Sequence, residues 1–206
     1  MLKLSTIKEA VSDLKKGRML IVIDDKDREN EGDLFCAAEK VTPEIVNFMI
    51  KNGRGLVCAP LINEIAKRLK LDLMCKNNYL NTKCKFTVSV DYIKGTTTGI
   101  SAADRAKTIK ALSDSGTKAQ DFYKPGHVFP ILVNDGGVLK RPGHSEASVD
   151  LCRLAKLKPV GVICEIIRND GKMARIKDLI SFSKKFKIKA IYIKDLIRYL
   201  KTNKID

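Results

Sequence analysis

The chain has 206 residues, 44% of them hydrophobic, and a formal net charge of +15, which gives enough apolar side chains for the core of one large domain or two small ones. No apolar run approaches the ~18 residues that span a bilayer, and the start Met1-Leu2-Lys3-Leu4-Ser5 lacks the apolar region of a signal peptide, so a cytoplasmic protein with no membrane partner is expected. Most of the 39 basic residues are lysines scattered along the chain, aromatics are 6% and tryptophan is absent, whereas a dedicated nucleic-acid binder clusters arginines and aromatics; no nucleic-acid partner is expected, although the field attracts small anions.

Taken in order, Thr6-Ile7-Lys8-Glu9 reads as a capping box, and Ile7, Ala10, Val11 and Leu14 give the following helix one apolar face that ends near Gly17. Two apolar runs, 19–23 and 34–38, read as strands of a hairpin whose long loop projects from one edge. That loop holds six acidic residues between Asp24 and Asp33 together with Arg28. No core needs such a stretch. An arginine among acids braces them and still offers donors to a phosphate, and grouped carboxylates are what a hard cation requires, so the loop points to a metal and an anionic substrate. A solvated turn is the plainer alternative.

Thr42-Pro43 opens a second helix, with threonine as N-cap and proline at the first helical position, whose Ile45, Phe48 and Met49 face inward. Gly53-Arg54-Gly55 leads into a predicted buried strand over 56–60, and a helix follows over 63–71, then an irregular run to Lys85. The run 86–90 alternates as a half-buried strand does and leads to Gly95-Thr96-Thr97-Thr98-Gly99-Ile100-Ser101, an anion-binding type of turn in which Ser101 caps the helix over 102–112. The two histidines close like-built tetrapeptides, Lys124-Pro125-Gly126-His127 and Arg141-Pro142-Gly143-His144. Proline fixes the approach and glycine lets backbone come close, so each presents an imidazole for acid–base work or metal ligation. A helix over 145–156 ends before Pro159, a buried strand over 160–164 exits at Glu165, and a helix over 176–186, a strand over 190–193 and a helix over 196–201 complete the chain. The six cysteines form no Cys-x-x-Cys pair and mostly lie in apolar runs, so neither a zinc site nor a disulfide framework is indicated.

Four separated motifs carry a resemblance. Asp24-Asp25-x-Asp27-Arg28-Glu29-Asn30-Glu31-Gly32-Asp33-Leu34, Thr98-Gly99-Ile100-Ser101-Ala102-x-Asp104-Arg105, the pair Phe122–Pro130 and Arg141-Pro142-Gly143-His144-Ser145-Glu146-Ala147, and Gly161-Val162-Ile163-Cys164-Glu165 resemble the 3,4-dihydroxy-2-butanone 4-phosphate synthase family of the riboflavin pathway. Three departures show: Lys26 for glutamate, Lys124 for arginine and Ser145 for threonine. The resemblance implies a single α/β (α+β) layered domain over residues 1–206 with a mixed β-sheet flanked by helices, and conversion of D-ribulose 5-phosphate to L-3,4-dihydroxy-2-butanone 4-phosphate and formate, with Mg²⁺ or Mn²⁺, in a homodimer with shared active sites. It implies Glu29 and His144 as metal ligands, His127 and Glu165 as the acid–base pair, Arg28 and Asp33 on the sugar, and Arg141, Pro142, Gly143 and Ser145 at the phosphate with Thr98 nearby. Cys58, in Arg54-Gly55-Leu56-Val57-Cys58, is placed close to the substrate. Residue chemistry alone reaches a metal-dependent enzyme on a small phosphorylated substrate. Another divalent-metal-dependent sugar-phosphate lyase or isomerase, and a basic nucleic-acid-binding protein, stand as the competing readings.

Overall fold

The structure is a computed structural model that describes residues 4–75 and 84–205. Helix α1 (Ile7–Lys15) starts on the expected box: the Glu9 backbone N–H donates to Thr6 Oγ1 and the Thr6 N–H donates to the Glu9 carboxylate. Ile7, Ala10 and Leu14 bury its apolar face. Strands β1 (Leu20–Ile23) and β2 (Gly32–Ala37) pair antiparallel with Leu20 opposite Phe35 and Ile23 opposite Gly32. All ten of their residues are buried.

Helix α2 (Pro43–Phe48) is capped by Thr42 and runs on into a π-type turn over Met49–Gly53. Met49 is fully buried, Ile45 and Phe48 are half-buried, and Val46 faces the core with them. Strand β3 (Cys58–Leu61) begins two residues later than the apolar run suggests, because Leu56 is 44% exposed. Helix α3 (Asn63–Arg68) follows; most of the irregular run before Lys85 lies outside the described residues. The predicted strand over 86–90 is broken into β4 (Lys85–Phe86) and β5 (Val90–Tyr92). Between them the Val88 N–H donates to the Asp72 carbonyl at 2.8 Å and the Gly126 N–H donates to the Ser89 hydroxyl, so the backbone leaves the β6 ladder where period-two reading expects it to continue.

Helix α4 (Ala102–Ser113) is capped by Ser101, which accepts from the Asp104 N–H at 3.0 Å. Strand β6 (Phe122–Leu132), helices α5 (Gly137–Lys140) and α6 (His144–Leu154), strand β7 (Gly161–Glu165), helix α7 (Ile176–Phe186), strand β8 (Lys189–Tyr192) and helix α8 (Ile193–Asn203) complete the order. The strands form one mixed sheet, β4-β6-β3-β7-β2-β1-β8, with β5 also paired to β6. β1 with β8 and β3 with β6 are parallel, and the other pairs are antiparallel. The β1–β2 hairpin therefore lies inside the sheet, between β8 and β7, rather than at an edge.

Successive strand residues feed opposite faces, which is why the central strands read as continuous apolar runs. Ile21, Ile23, Leu34, Cys36, Val162 and Cys164 join one core with Met49, Ile109, Leu112 and Leu179. Leu20, Val22, Phe35, Ala37, Cys58 and Ile163 join the other with Leu14, Leu151 and Leu196. A helical layer thus covers each face of the sheet, the layered α/β arrangement expected. None of the six cysteines is joined in a disulfide, and among the described residues no helix is long and apolar enough to cross a membrane.

Candidate active site

Strand ends, not strand middles, build the site. Asp33 at the start of β2 stands opposite Glu165 at the end of β7, Cys58 opens β3, and His144 is the first residue of α6. The acidic loop 24–31 closes over them. Together Arg28, Glu29, Glu31, Asp33, Cys58, Cys84, Phe86, Ile131, Arg141, His144, Ser145, Ile163 and Glu165 line a cleft of about 200 Å³. A larger cavity of about 350 Å³ borders Arg54, Phe182 and Phe186 but includes neither histidine.

The loop is shaped by Asp24, whose side chain is wholly buried. One of its oxygens accepts from Arg28 at 2.8 Å and from the Glu29 N–H at 3.1 Å, while the other accepts from the Glu31 N–H at 2.8 Å. Arg28 also donates to Glu29 at 2.7 Å, so the arginine does brace the acids. From outside, Arg175 donates to the carbonyls of Glu29 and Asn30 at 2.6 and 2.7 Å. Solvated turns are not held by so many bonds. Neither Asp24 nor Arg175 is singled out by sequence: an aspartate among acids and an arginine in a basic tail have no distinguishing pattern.

His144 is buried and its Nδ1 lies 3.6 Å from Glu29 Oε2. Its Nε2 is buried without a hydrogen-bond partner among the described residues. Burial opposes charge on this ring, but the Asp33 carboxylate and the bond to Glu29 outweigh it and hold the imidazole up at about 9. Glu29 is held down at about 2, first by its bond to His144 and against the cost of burial, with Arg28 adding to the same effect. Asp33 goes the other way: burial raises it to about 7 against the pull of His144, and the neighbouring charge of Glu165 adds to the rise. Carboxylates of one cleft thus differ in proton affinity at neutral pH. Asp24, Glu29 and His144 each bring a ligand atom within 4.8 Å of the others, and the orphaned buried nitrogen of His144 is the kind of group a cation satisfies. Asp24 already spends both oxygens within the loop, which leaves Glu29 and His144 as the freer donors.

Beside them, Arg141 pairs with buried Glu146 at 2.5 Å, and Ser145 is buried in the cleft on the first turn of the 11-residue helix α6. A guanidinium, a hydroxyl and a helix N-terminus converging on one cleft suit an anion. A Cβ on Gly143 would stand 2.3 Å from Arg141 Nη1 and 2.7 Å from the Glu146 carboxylate, so this glycine leaves room for the ion pair. Pro142 is exposed and outside the lining. Cys58 and Cys84 both line the cleft, with burial pushing the Cys84 thiol up to about 11 and that of Cys58 well above its usual range. Cys84 had no motif to reveal it.

Two expected residues lie elsewhere. His127, in the middle of β6, has a 44% exposed side chain, and Thr98 is exposed in the turn before α4; neither lines the cleft of the same chain. They are neighbours of each other's supports. Buried Asp91 contacts His127 Nδ1 at 2.6 Å and accepts from the His127 N–H at 2.9 Å. Gly99, at φ +90°, is packed so closely on the Asp91 carboxylate that a Cβ would be 2.0 Å from it. The Thr98 turn is pinned in place by Asp104, which accepts from Thr97 at 2.7 Å and from the Gly99 N–H at 3.3 Å. Lys124, by contrast, serves the fold: its ammonium donates to the carbonyls of Leu69 and Lys70 at 2.9 and 2.6 Å, beyond the end of α3. A point charge can serve these carbonyls as well as a planar fork does.

Comparison with known proteins gives a consistent result. The sequence model of the 3,4-dihydroxy-2-butanone 4-phosphate synthase family matches residues 8–199. The riboflavin biosynthesis protein RibBA of Cytophaga hutchinsonii is 55% identical over 203 residues, covering 98% of this chain and 50% of that protein. RibBA of Bacillus cytotoxicus is 56% identical over 193 residues, covering 94% and 48%. The chain therefore spans about half the length of the curated relatives it matches. Among solved structures, a 3,4-dihydroxy-2-butanone 4-phosphate synthase in complex with two magnesium ions superposes with a TM-score of 0.94 at 38% identity, covering 98% of this chain and 99% of that one. The two-domain synthase RibBX of A. baumannii gives 0.93 at 49% identity, covering 97% and 59%.

Proposed function

The chain belongs to the 3,4-dihydroxy-2-butanone 4-phosphate synthase family, and on that footing we propose that it is a carbon–carbon lyase converting D-ribulose 5-phosphate to L-3,4-dihydroxy-2-butanone 4-phosphate and formate, the four-carbon supply for riboflavin. The stretch 1–206 acts as one synthase domain, in the cytoplasm, where a charged sugar phosphate is retained once made. The observation that carries the reading is the buried, partnerless Nε2 of His144 next to Glu29, in a cleft that also holds Arg141 and Ser145.

The residue types suit the reaction. Arg141, Ser145 and the α6 N-terminus bind the phosphate and fix one end of the sugar; Pro142 and Gly143 serve through the backbone that sets Arg141 and His144 in place. Arg28 and Asp33 contact the sugar hydroxyls, and Cys58 with Ile163 walls the cleft. Glu29 and His144 would hold Mg²⁺ or Mn²⁺, and such a cation supplies charge stabilisation to an enediolate formed next to the substrate carbonyl. A nitrogen donor beside a carboxylate accommodates manganese at least as readily as magnesium. Glu165 and His127 move the protons. Asp33, held near neutrality in its affinity, can exchange one beside them. Loss of water, migration of a carbon, return of a water to the carbon that the migration leaves terminal and release of that carbon as formate complete a sequence with no net gain or loss of atoms.

His127 and Thr98 need a way into the cleft. A second copy of the chain supplies it in a homodimer with shared sites, each subunit lending its Asp91-supported His127 and its Thr98 turn to the other. Exposed apolar side chains at Ile93, Ile100 and Tyr123, close in sequence to these residues, support such an interface. The direct test is carbon NMR of the protein with ribulose 5-phosphate, with and without Mg²⁺. Metal-dependent formate with a four-carbon phosphate is expected, and no formate under any divalent metal would overturn the proposal.

A further inference from the structure

The turn before β3 is built against strain. The Arg54 N–H donates to the Met49 carbonyl at 3.0 Å, closing the π-type turn, and Arg54 itself sits at φ 72°, ψ 0°, a left-handed conformation that is strained for a non-glycine residue. What holds it there is the chain just beyond Glu165. Arg54 bridges Ile166, the Ile167 N–H donates to the Gly53 carbonyl at 2.8 Å, and the Arg54 guanidinium donates to the Ile167 carbonyl at 3.0 Å. The next residue, Gly55, is not among the glycines of positive φ, so its conformation is open to any residue. Space is the constraint instead. A Cβ at Gly55 would stand 2.4 Å from Glu165 Oε2 and 2.7 Å from the Glu165 N and O atoms. Immediately after it, the Leu56 N–H donates to that same Oε2 at 2.8 Å, although the Leu56 side chain is 44% exposed. Burial of that side chain cannot be what keeps the amide in place.

We propose that Gly55 is a positioning residue for the acid–base carboxylate: its bare face is a notch in which Glu165 Oε2 lies, and the Leu56 amide fixes the carboxylate's rotation toward the cleft. The stitched, strained turn at Arg54 sets the depth of the notch. This rests on the acid–base role given to Glu165 above. A Cβ at position 55 meets both the Glu165 carboxylate and the Glu165 backbone, so it must shift the carboxylate, and misplacement of about 1 Å can cost ~100-fold in rate.

The test is steady-state kinetics on Gly55→Ala, Glu165→Gln and the double variant, with the Leu56 amide resonance followed by nitrogen–proton NMR in the wild type and in Glu165→Gln. Gly55→Ala should lower kcat ~100-fold while KM stays within ~3-fold, and the double variant should be no slower than Glu165→Gln alone, because a notch without its carboxylate has nothing to hold. Losses that multiply in the double variant would make Gly55 merely structural and overturn the proposal. Wild-type turnover in Glu165→Gln would instead remove the acid–base role of Glu165, leaving the notch to be judged by NMR. There the Leu56 amide should shift on losing a charged acceptor, and an unmoved resonance would overturn the notch even if Gly55→Ala fails to fold.

Discussion

Adding Mg²⁺ to the metal-free protein should expel a proton from His144. The ring is held at about 9 by Asp33 and Glu29 against its burial, yet a metal ligand must be the neutral imidazole. At pH 7.5 the ring is below its midpoint and mostly charged, so freeing it weakens apparent affinity by roughly one to two orders of magnitude relative to pH well above 9. The sign follows: affinity rises by up to tenfold per pH unit up to about 9 and then levels. Isothermal titration calorimetry at pH 7.5 in phosphate and in Tris, buffers with very different protonation heats, reads the protons released. About one per site is expected from His144, plus a few tenths from Asp33, whose midpoint is about 7. In His144→Asn only protons from Asp33 should remain, and more of them than in the wild type, because the charge that pulls Asp33 down is gone. Binding heats with no buffer dependence in the wild type would mean that His144 is not a ligand, or is already neutral, and the electrostatic account of the cleft would be wrong.

Glu29→Gln should cut turnover by at least ~100-fold and weaken metal binding, and because its bond to His144 holds Glu29 at about 2 against the cost of burial, with Arg28 adding to the effect, the metal-free wild type should lose ~1–2 kcal/mol, after allowing for solvent screening, as pH falls from about 4.5 through 2. This lowered carboxylate stabilises the fold above its unfolded pKa, and acid-titrated urea melts that superpose for wild type and variant would refute it. Asp91→Asn, which keeps the shape but removes a charge-assisted bond to His127, should lower kcat ~10–100-fold at unchanged KM; wild-type kcat would take His127 out of proton transfer. Ser145→Thr restores the family's threonine and should stay within ~3-fold of wild type, whereas a large rise in KM would misplace the phosphate pocket.

Most of the cleft was legible because its residues sit in motifs with unusual chemistry: an acidic loop no core needs, a Pro-Gly-His repeat, a glutamate at the exit of an apolar strand. Helix starts were legible for the same kind of local reason, as at Thr6, Thr42 and Ser101, where a hydroxyl meets an orphan backbone N–H. Long-range partnership was not. Asp91 supports His127 from 36 residues away, and Arg175 grips the loop at Glu29 from 146 away, with no spacing rule to announce either. The like-built tetrapeptides also diverge in space: His144 begins a buried helix turn, whereas His127 faces outward from a strand. Identical local chemistry predicts that an imidazole is presented, not what it is presented to. The hairpin's place inside the sheet was likewise hidden, since strand order depends on pairings between runs that all look alike.

That interior hairpin bears on how the activity can change over evolution. β1 and β2 are each locked to a further strand, β8 and β7, in fixed register, so an insertion or deletion within the acidic loop cannot be absorbed by letting one strand slide. A one-residue slip would turn Asp33 out of the cleft and drive Leu34 or Phe35 onto the wrong face. A change of length here must therefore be taken up within the loop itself, at the expense of the bonds by which Asp24 and Arg175 hold it.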